Sequence, residues 1–209
     1  MALDYSLYLV ADTDFAGGRD LPALVDAAVR GGVTVVQLRA KSLGGRDFAG
    51  LALEISRRLA GTGVPLLIND RVDIALACGA AGIHLGQDDM PVPAARRILG
   101  PNAAIGVSVN TPEEAALAER EGADYVGAGP AFATSTKETP LAVLGPAGIG
   151  RIKRAVGIPV VAIGGISAGN AASLAAAGAD GIAVVSAILG APDPARAAEE
   201  LTRSFKARA

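Results

Sequence analysis

Two aspartates are the residues whose types and spacing most directly suggest chemistry. Asp70 follows the short apolar run 64–68, and Asp89 follows a second short run, 82–85. Apolar runs of this length favour strands buried on both faces. Helical spacing over 71–78 predicts a strand–helix–strand unit, whose two strands are parallel and adjacent. Both aspartates are therefore expected at the carboxyl ends of neighbouring strands, where sites form in parallel α/β folds.

Each aspartate also has a simpler interpretation. Either could cap the helix that follows it, because a side-chain oxygen at that position satisfies free backbone N–H groups. Clustering with Asn69 and Gln87 at one sheet edge instead favours a metal site. Two carboxylates suit Mg²⁺, which retains water and completes its shell with phosphate oxygens of a substrate. We therefore predict that Asp70 and Asp89 hold one Mg²⁺ ion per subunit.

Basic residues at the end of the second predicted strand indicate an anion site. Alternation puts Gln37, Arg39 and Lys41 on one face of the strand, and Val36 and Leu38 on the other. The apolar face is expected to pack against helices, so the polar face must open toward the site. Arginine and lysine there suit a polyphosphate.

Three loops carry further candidates for binding phosphate. The long segment 129–146 includes two threonines, a serine and a lysine at 134–137. Irregular loops of this length are typically functional or disordered. A phosphate-binding loop explains this composition, and a solvated turn explains it nearly as well. Residues 164–165 and 185–186 follow the seventh and eighth strands, where backbone N–H groups and a helix amino terminus commonly hold phosphate. Ser108 after the fifth strand is either a ligand or a turn residue.

The remaining reactive residues suggest structural roles. We expect the single histidine, His84, to be neutral and hydrogen-bonded, and the single cysteine, Cys78, to be a small buried residue. No Ser-His-Asp set can be assembled with confidence. One divalent metal and two separate anion sites remain, which fits two phosphorylated substrates that meet over a barrel.

The elements that must position these residues repeat one pattern of short apolar strand, loop, amphipathic helix and glycine stop. The predicted strands cover 7–11, 33–38, 64–68, 82–85, 104–107, 124–128, 159–163 and 181–185. The predicted helices cover 21–30, 48–59, 71–78, 93–99, 111–122, 150–156 and 170–177, with a last one from 193 toward 205. This alternation predicts an α/β fold, a single-domain (β/α)₈ TIM barrel over 1–209. A doubly wound open sheet is the alternative, because alternation alone does not show closure.

The composition agrees with a parallel barrel. Of the 209 residues, 51% are hydrophobic but only 3% are aromatic, which predicts a core of Val, Ile, Leu and Ala. A net charge of −2 with scattered basic residues gives no nucleic-acid surface. The richest apolar segment, 171–191, is interrupted by Asp180, and the amino terminus lacks the basic region of a signal peptide. We expect a cytoplasmic protein without nucleic-acid or membrane partners; its oligomeric state, including a homo-oligomer, is left open.

Short motifs in the right order resemble the thiamine-phosphate synthase family. They are Gln37-Leu38-Arg39-Ala40-Lys41, Asn69-Asp70-Arg71, His84-Leu85-Gly86-Gln87-Asp88-Asp89, Gly106-Val107-Ser108, Thr134-Ser135-Thr136-Lys137, Gly164-Gly165-Ile166 and Val185-Ser186. The resemblance implies a Mg²⁺-dependent TIM barrel. Its reaction joins 4-amino-2-methyl-5-(diphosphooxymethyl)pyrimidine to 4-methyl-5-(2-phosphooxyethyl)thiazole and releases pyrophosphate. The chain departs from the family pattern at Ala40 and Asp88, which look peripheral.

The resemblance also implies roles for individual residues. Mg²⁺ would be carried by Asp70 and Asp89. The pyrimidine diphosphate would be held by Gln37, Leu38, Arg39, Ala40, Lys41, Asn69, Ser108 and Lys137. The thiazole phosphate would be held by Thr134, Ser135, Thr136, Gly165, Val185 and Ser186. Catalytic roles fall to Lys137, Arg39 and Ser108, because the family is thought to ionise the C–O bond first, and the departing pyrophosphate then needs charge stabilisation.

Two other functions stay open. A thiazole tautomerase shares this barrel but resembles the chain less around Gln87, Asp89 and 136–137. A non-catalytic binding protein for a phosphorylated thiamine precursor would retain the site at loops seven and eight but would not need the acidic pair.

Overall fold

A computed structural model describes residues 3–134, 136 and 141–207 of the chain. Within these residues it contains eight strands and ten helices. The strands are β1 (Leu7–Asp12), β2 (Val35–Arg39), β3 (Leu66–Asn69), β4 (Gly82–Leu85), β5 (Ala104–Val109), β6 (Tyr125–Ala128), β7 (Val160–Ile163) and β8 (Gly181–Val184). The helices are α1 (Thr13–Ala16), α2 (Leu21–Arg30), α3 (Gly45–Leu59), α4 (Val72–Cys78), α5 (Val92–Leu99), α6 (Pro112–Arg120), α7 (Gly145–Ala155), α8 (Ala171–Ala176), α9 (Ser186–Leu189) and α10 (Pro194–Lys206).

The strands close into a barrel. Each strand pairs in parallel with the next one along the chain, and β8 pairs with β1 through Leu7 and Ile182. The prediction of a (β/α)₈ TIM barrel is therefore confirmed, and the alternative of an open sheet is excluded. Closure brings the carboxyl ends of all eight strands to one rim, where this fold carries its sites.

Two apolar clusters fill the molecule. The larger lies between the barrel and the helices, and it includes Leu38, Ile68 and Ile83. The smaller lies inside the barrel and contains all three tyrosines of the chain: Tyr5, Tyr8 and Tyr125. Composition predicted a core of small aliphatic residues. The three tyrosines are concentrated in the barrel interior, whereas the four phenylalanines belong to the outer cluster or pack against it.

The predicted elements are present, with two additions. Helices α1 and α9 have four residues each, too few to show apolar periodicity in the sequence. Helix α7 begins at Gly145 rather than at the predicted residue 150, since glycines obscure its first turn. Helix α6 begins with a capping box: Thr111 Oγ1 accepts from the N–H of Glu114, and the Glu114 carboxylate accepts from the N–H of Thr111 in return.

Candidate active site at the barrel mouth

A cavity of about 650 Å³ extends from the rim into the barrel. It gathers most of the predicted site residues: Gln37, Arg39, Lys41, Asn69, Asp70, Asp89, Ser108, Thr134, Thr136, Gly165, Val185 and Ser186. Leu38 and Ala40 do not line it, because their side chains are buried in the outer core. They can contact a ligand only through their backbone. Ser135 and Lys137 lie outside the described residues.

The acidic pair does not cap helices. The amino-terminal caps of α4 and α5 are Arg71 and Pro91, and neither helix has a side-chain cap. The simpler interpretation of the two aspartates is therefore wrong. Asp70 has a left-handed backbone, with φ of 59°, and forms an ion pair with Lys41. Asp89 Oδ2 accepts the N–H of Gly86 at 2.7 Å, which orients this carboxylate within the loop after β4.

The pKa values of the two carboxyl groups shift in opposite directions. Burial raises the pKa of Asp70, and the hydrogen bond that its protonated form donates to the Asp89 carboxylate adds to this, although Lys41 opposes it. Burial also acts against ionisation of Asp89. The bonds from Asp70 and from the Gly86 N–H outweigh it and hold the pKa of Asp89 below its usual value. Asp70 is therefore the partner that retains a proton more readily when no cation is bound.

The donor set fits a metal that needs few protein ligands. Asp70 Oδ2 is buried and makes no hydrogen bond of good geometry, although the Lys41 ammonium lies beside it. The described residues contain no group of three or more His, Cys, Asp or Glu that could hold a metal. Two carboxylates with oxygen ligands still to be supplied are typical of Mg²⁺, which keeps its waters and binds substrate phosphates.

Asp12 is a site residue that the sequence analysis missed. It ends β1, is only 5% exposed, and its Oδ2 lies 2.5 Å from Nη1 of Arg39. Its Oδ1 caps α1 by accepting the N–H groups of Asp14 and Phe15 at 2.9 and 3.1 Å. The guanidinium of Arg39 is thereby held in place by the neighbouring strand. The signal available in the sequence was an aspartate directly after the first apolar run, 7–11.

A chain of side-chain hydrogen bonds crosses the barrel interior, and we call it the interior chain. Gln37 Nε2 donates to Tyr8 Oη at 2.6 Å, and Tyr8 Oη lies 2.9 Å from Tyr125 Oη. Tyr125 Oη lies 2.9 Å from Nδ1 of His84, whose Nε2 lies 2.9 Å from Ser108 Oγ. Burial raises the pKa of both Tyr8 and Tyr125, so both phenols keep their protons. His84 is hydrogen-bonded as expected, and its ring also lines the cavity.

Two glycines leave the space for these rings. A Cβ atom on Gly106 of β5 would lie 2.0 Å from Cζ of Tyr125. A Cβ atom on Gly127 of β6 would lie 2.9 Å from Cε1 of His84. Both distances are shorter than van der Waals contact, so a side chain at either position would displace a ring of the interior chain.

The loops after β6, β7 and β8 meet on the other side of the mouth. Thr136 Oγ1 lies 3.4 Å from Oγ of Ser186, which is the first residue of α9. The backbone N–H of Thr136 donates to Oγ1 of Thr134 at 3.2 Å. Gly165 has φ of 63°, and a Cβ there would lie 2.4 Å from the carbonyl oxygen of Ala133, so this loop contact requires glycine. The structure thus brings the predicted hydroxyl and glycine residues together.

The barrel and its polar mouth define a TIM-barrel enzyme. The family model for thiamine monophosphate synthase matches residues 7–188. The chain is 53% identical over 201 residues to a thiamine-phosphate synthase of Albidiferax ferrireducens, covering 96% of this chain and 92% of the relative. It is 50% identical over 199 residues to that of Chloroflexus aurantiacus, covering 95% and 92%. A thiamine phosphate pyrophosphorylase structure from Pyrococcus furiosus superimposes with a TM-score of 0.88 and 38% identity, covering 97% of this chain and 96% of that one.

The chain therefore belongs to the thiamine monophosphate synthase family, and it is a transferase of thiamine biosynthesis. Among the described residues, no helix is long and apolar enough to cross a membrane.

Proposed function

We propose that this chain condenses 4-amino-2-methyl-5-(diphosphooxymethyl)pyrimidine with 4-methyl-5-(2-phosphooxyethyl)thiazole, in a Mg²⁺-dependent reaction that releases pyrophosphate. The observation that carries the proposal is that one cavity has basic and acidic side chains on one wall and hydroxyl groups on another. The β2–β5 side offers Arg39, Lys41 and the acidic pair, whereas the β6–β8 side offers Thr136 and Ser186. Two phosphorylated substrates require such a division.

The β2–β5 side suits the diphosphate. Asp70 and Asp89 would hold Mg²⁺, which supplies positive charge to the diphosphate oxygens when bound. Arg39 is held by Asp12, so its guanidinium is oriented before a ligand arrives. Lys41, now paired with Asp70, becomes available to a phosphate if a metal replaces it at that carboxylate. Gln37, Asn69 and Ser108 add neutral polar groups to this wall of the cavity. Lys137 remains a predicted ligand of the same diphosphate.

The β6–β8 side suits the thiazole phosphate. Thr134, Thr136 and Ser186 offer hydroxyl groups, and Gly165 and Val185 line the same part of the cavity. Neutral donors of this kind bind a phosphate monoester without the strong cations that a diphosphate leaving group requires. Ser135 remains a predicted member of this set.

The reaction that we propose is dissociative. The C–O bond to the diphosphate breaks first, and the thiazole nitrogen then attacks the pyrimidine methylene cation. Arg39, Ser108 and the predicted Lys137 stabilise the charge that develops on the leaving pyrophosphate. This assignment explains why the site is rich in side chains that bind anions. An electron-withdrawing substituent on the pyrimidine should slow the chemical step steeply, whereas near-indifference to the substituent would favour direct displacement.

Pyrophosphate release tests the proposal. The purified protein should release pyrophosphate only when both substrates and Mg²⁺ are present, with thiamine phosphate formed in equal amount. Conversion of the thiazole phosphate alone would identify a tautomerase. Tight binding of a precursor without turnover would identify a binding protein. A cytoplasmic location and a single domain over 1–209 stay predictions from the sequence, and the oligomeric state stays open.

A further inference from the structure

The hydrogen bonds of the interior chain all run in one donor-to-acceptor direction. From that direction we infer that His84 carries its proton on Nε2 and leaves the hydroxyl of Ser108 as a hydrogen-bond donor to the cavity. Tyr125 then acts as a positioning residue through His84. The observation is the unbroken series of contacts between side chains of β2, β1, β6, β4 and β5, each 2.6 to 2.9 Å long.

The direction follows from counting protons. The Gln37 amide nitrogen can only donate, so Tyr8 Oη accepts from it and must give its own proton elsewhere. Among the described residues, its other hydrogen-bond partner is Tyr125 Oη. Tyr125 therefore accepts from Tyr8 and donates to Nδ1 of His84. A neutral imidazole that accepts at Nδ1 carries its proton on Nε2, which donates to Ser108 Oγ.

The opposite direction leaves a buried proton without an acceptor. If Nδ1 of His84 donated to Tyr125, Tyr125 would donate to Tyr8. Tyr8 would then receive protons from both Gln37 and Tyr125, and its own hydroxyl proton would have no partner. Tyr8 and Tyr125 are 1% and 0% exposed, so water does not substitute for the missing acceptor. Leaving a buried polar group unsatisfied is costly, which favours the first direction.

The direction matters at Ser108. Its Oγ accepts the proton of His84 Nε2, so its own hydroxyl proton is available to a ligand in the cavity. Gln87 Nε2 donates to the Ser108 carbonyl oxygen at 2.6 Å, which holds the backbone of this residue as well. An oxyanion in the cavity therefore meets an oriented donor. This last step rests on the proposed function, because it takes the ligand to be the diphosphate.

Nitrogen NMR tests the direction without substrate. His84 is the only histidine in the chain, so ¹⁵N-histidine labelling yields one pair of ring signals. In a two-bond ¹⁵N–¹H spectrum near neutral pH, we expect a protonated Nε2 and an unprotonated Nδ1. A protonated Nδ1, or a doubly protonated ring, would overturn the inference. This outcome is independent of whether the proposed reaction occurs.

Tyr125→Phe and Tyr5→Phe form a matched pair of variants. Both remove a hydroxyl from a ring of the inner cluster, and the two rings lie 4.6 Å apart, but only Tyr125 belongs to the interior chain. Tyr125→Phe should move the Nδ1 signal downfield, toward that of a nitrogen that accepts no hydrogen bond. Tyr5→Phe should leave it in place. Unchanged ring signals in Tyr125→Phe would overturn the inference.

Kinetics test the link to Ser108. Tyr125→Phe should lower kcat roughly fivefold, the effect of one misplaced hydrogen bond, while Tyr5→Phe retains the wild-type rate. If Tyr125 acts through Ser108, the double variant with Ser108→Ala should be no slower than Ser108→Ala alone. Independent, multiplying losses would overturn that link. Failure of every variant and of the wild type to form product would instead contradict the proposed function, with the NMR result unaffected.

Discussion

At the scale of residues, the acidic pair is the feature that separates a functional site from ordinary helix ends. Asp70 adopts a left-handed backbone that few residues tolerate, and neither carboxylate caps the helix after it. Its burial beside Asp89 and Lys41 concentrates charge at the barrel mouth instead of at a helix end. Such an arrangement is typical of a site completed by a ligand.

Replacing either carboxylate by an amide should remove activity and spare the fold. Asparagine tolerates the left-handed backbone of Asp70, and at position 89 its carbonyl oxygen can still accept from Gly86. We expect Asp70→Asn and Asp89→Asn each to lower kcat by ~10²-fold or more, with urea midpoints close to wild type. Asp73→Asn, on the exposed pair with Arg71, is the control and should remain active. Near-normal turnover of either site variant at moderate Mg²⁺ would show that its carboxylate is not a metal ligand.

At the scale of elements, the strands carry the side chains of the site, and glycines on two strands leave the space that these side chains occupy. Gly106 and His84 are register partners across β4 and β5, and Ser108 and Gly127 are partners across β5 and β6. The rings of the interior chain occupy the volume that side chains at these two glycines would fill. Small residues on the inward face are therefore part of how the barrel positions His84 and Ser108.

Gly106→Ala should destabilise the protein, because the new methyl group lies 2.0 Å from the Tyr125 ring and the strand backbone cannot move away freely. Overpacking of this kind costs about 1–3 kcal/mol of unfolding free energy. Gly50→Ala is the matched control: it lies within α3, and a Cβ there meets nothing within 4 Å. That variant should gain about 0.5–1 kcal/mol, since alanine favours helix over glycine. Equal urea midpoints for the two variants would contradict the packing argument.

Mutations on the two sides of the cavity should affect the two substrates separately. Ser186→Ala removes one neutral donor near Thr136, and it should weaken binding of the thiazole phosphate by ~1 kcal/mol, or severalfold in KM. Lys137→Ala should mainly lower kcat, by ~10²-fold, if the lysine stabilises the charge of the departing pyrophosphate. Single-turnover kinetics at saturation distinguish these effects. A wild-type rate for Lys137→Ala together with a slowed chemical step for Ser186→Ala would reverse the assignment.

At the scale of the whole molecule, ligand and metal should stabilise the barrel only together. Two carboxylates leave most of an octahedral Mg²⁺ shell to water, and a diphosphate supplies the missing oxygens. We therefore expect weak Mg²⁺ binding by calorimetry that tightens strongly with pyrophosphate present. At 100 times the dissociation constant, the joint ligand adds about 2.7 kcal/mol of stability, visible as a rise in Tm. Tight Mg²⁺ binding to the protein alone would contradict a two-carboxylate site.

The sequence by itself determined the alternation of strands and helices and which side chains end the strands. These features are local: buried strands need short apolar runs, and alternation along β2 places Gln37 and Arg39 on one face. Motif order was enough to indicate the family. The resemblance to the family grouped residues 134, 136 and 186 as one binding set; the structure places Thr136 beside Ser186, and their shared ligand stays a prediction.

Only the tertiary structure decided closure, register and the contacts across the barrel. Pairing of β8 with β1 joins residues far apart in the chain, and no local pattern distinguishes it from an open sheet. Tyr8 and Tyr125 are 117 positions apart, and each resembles an ordinary core residue until their hydroxyls meet. Asp12 became part of the site because Arg39 is its register partner on the next strand. Such contacts depend on which strands become neighbours, which hydrogen bonding over the whole barrel settles and local preference does not.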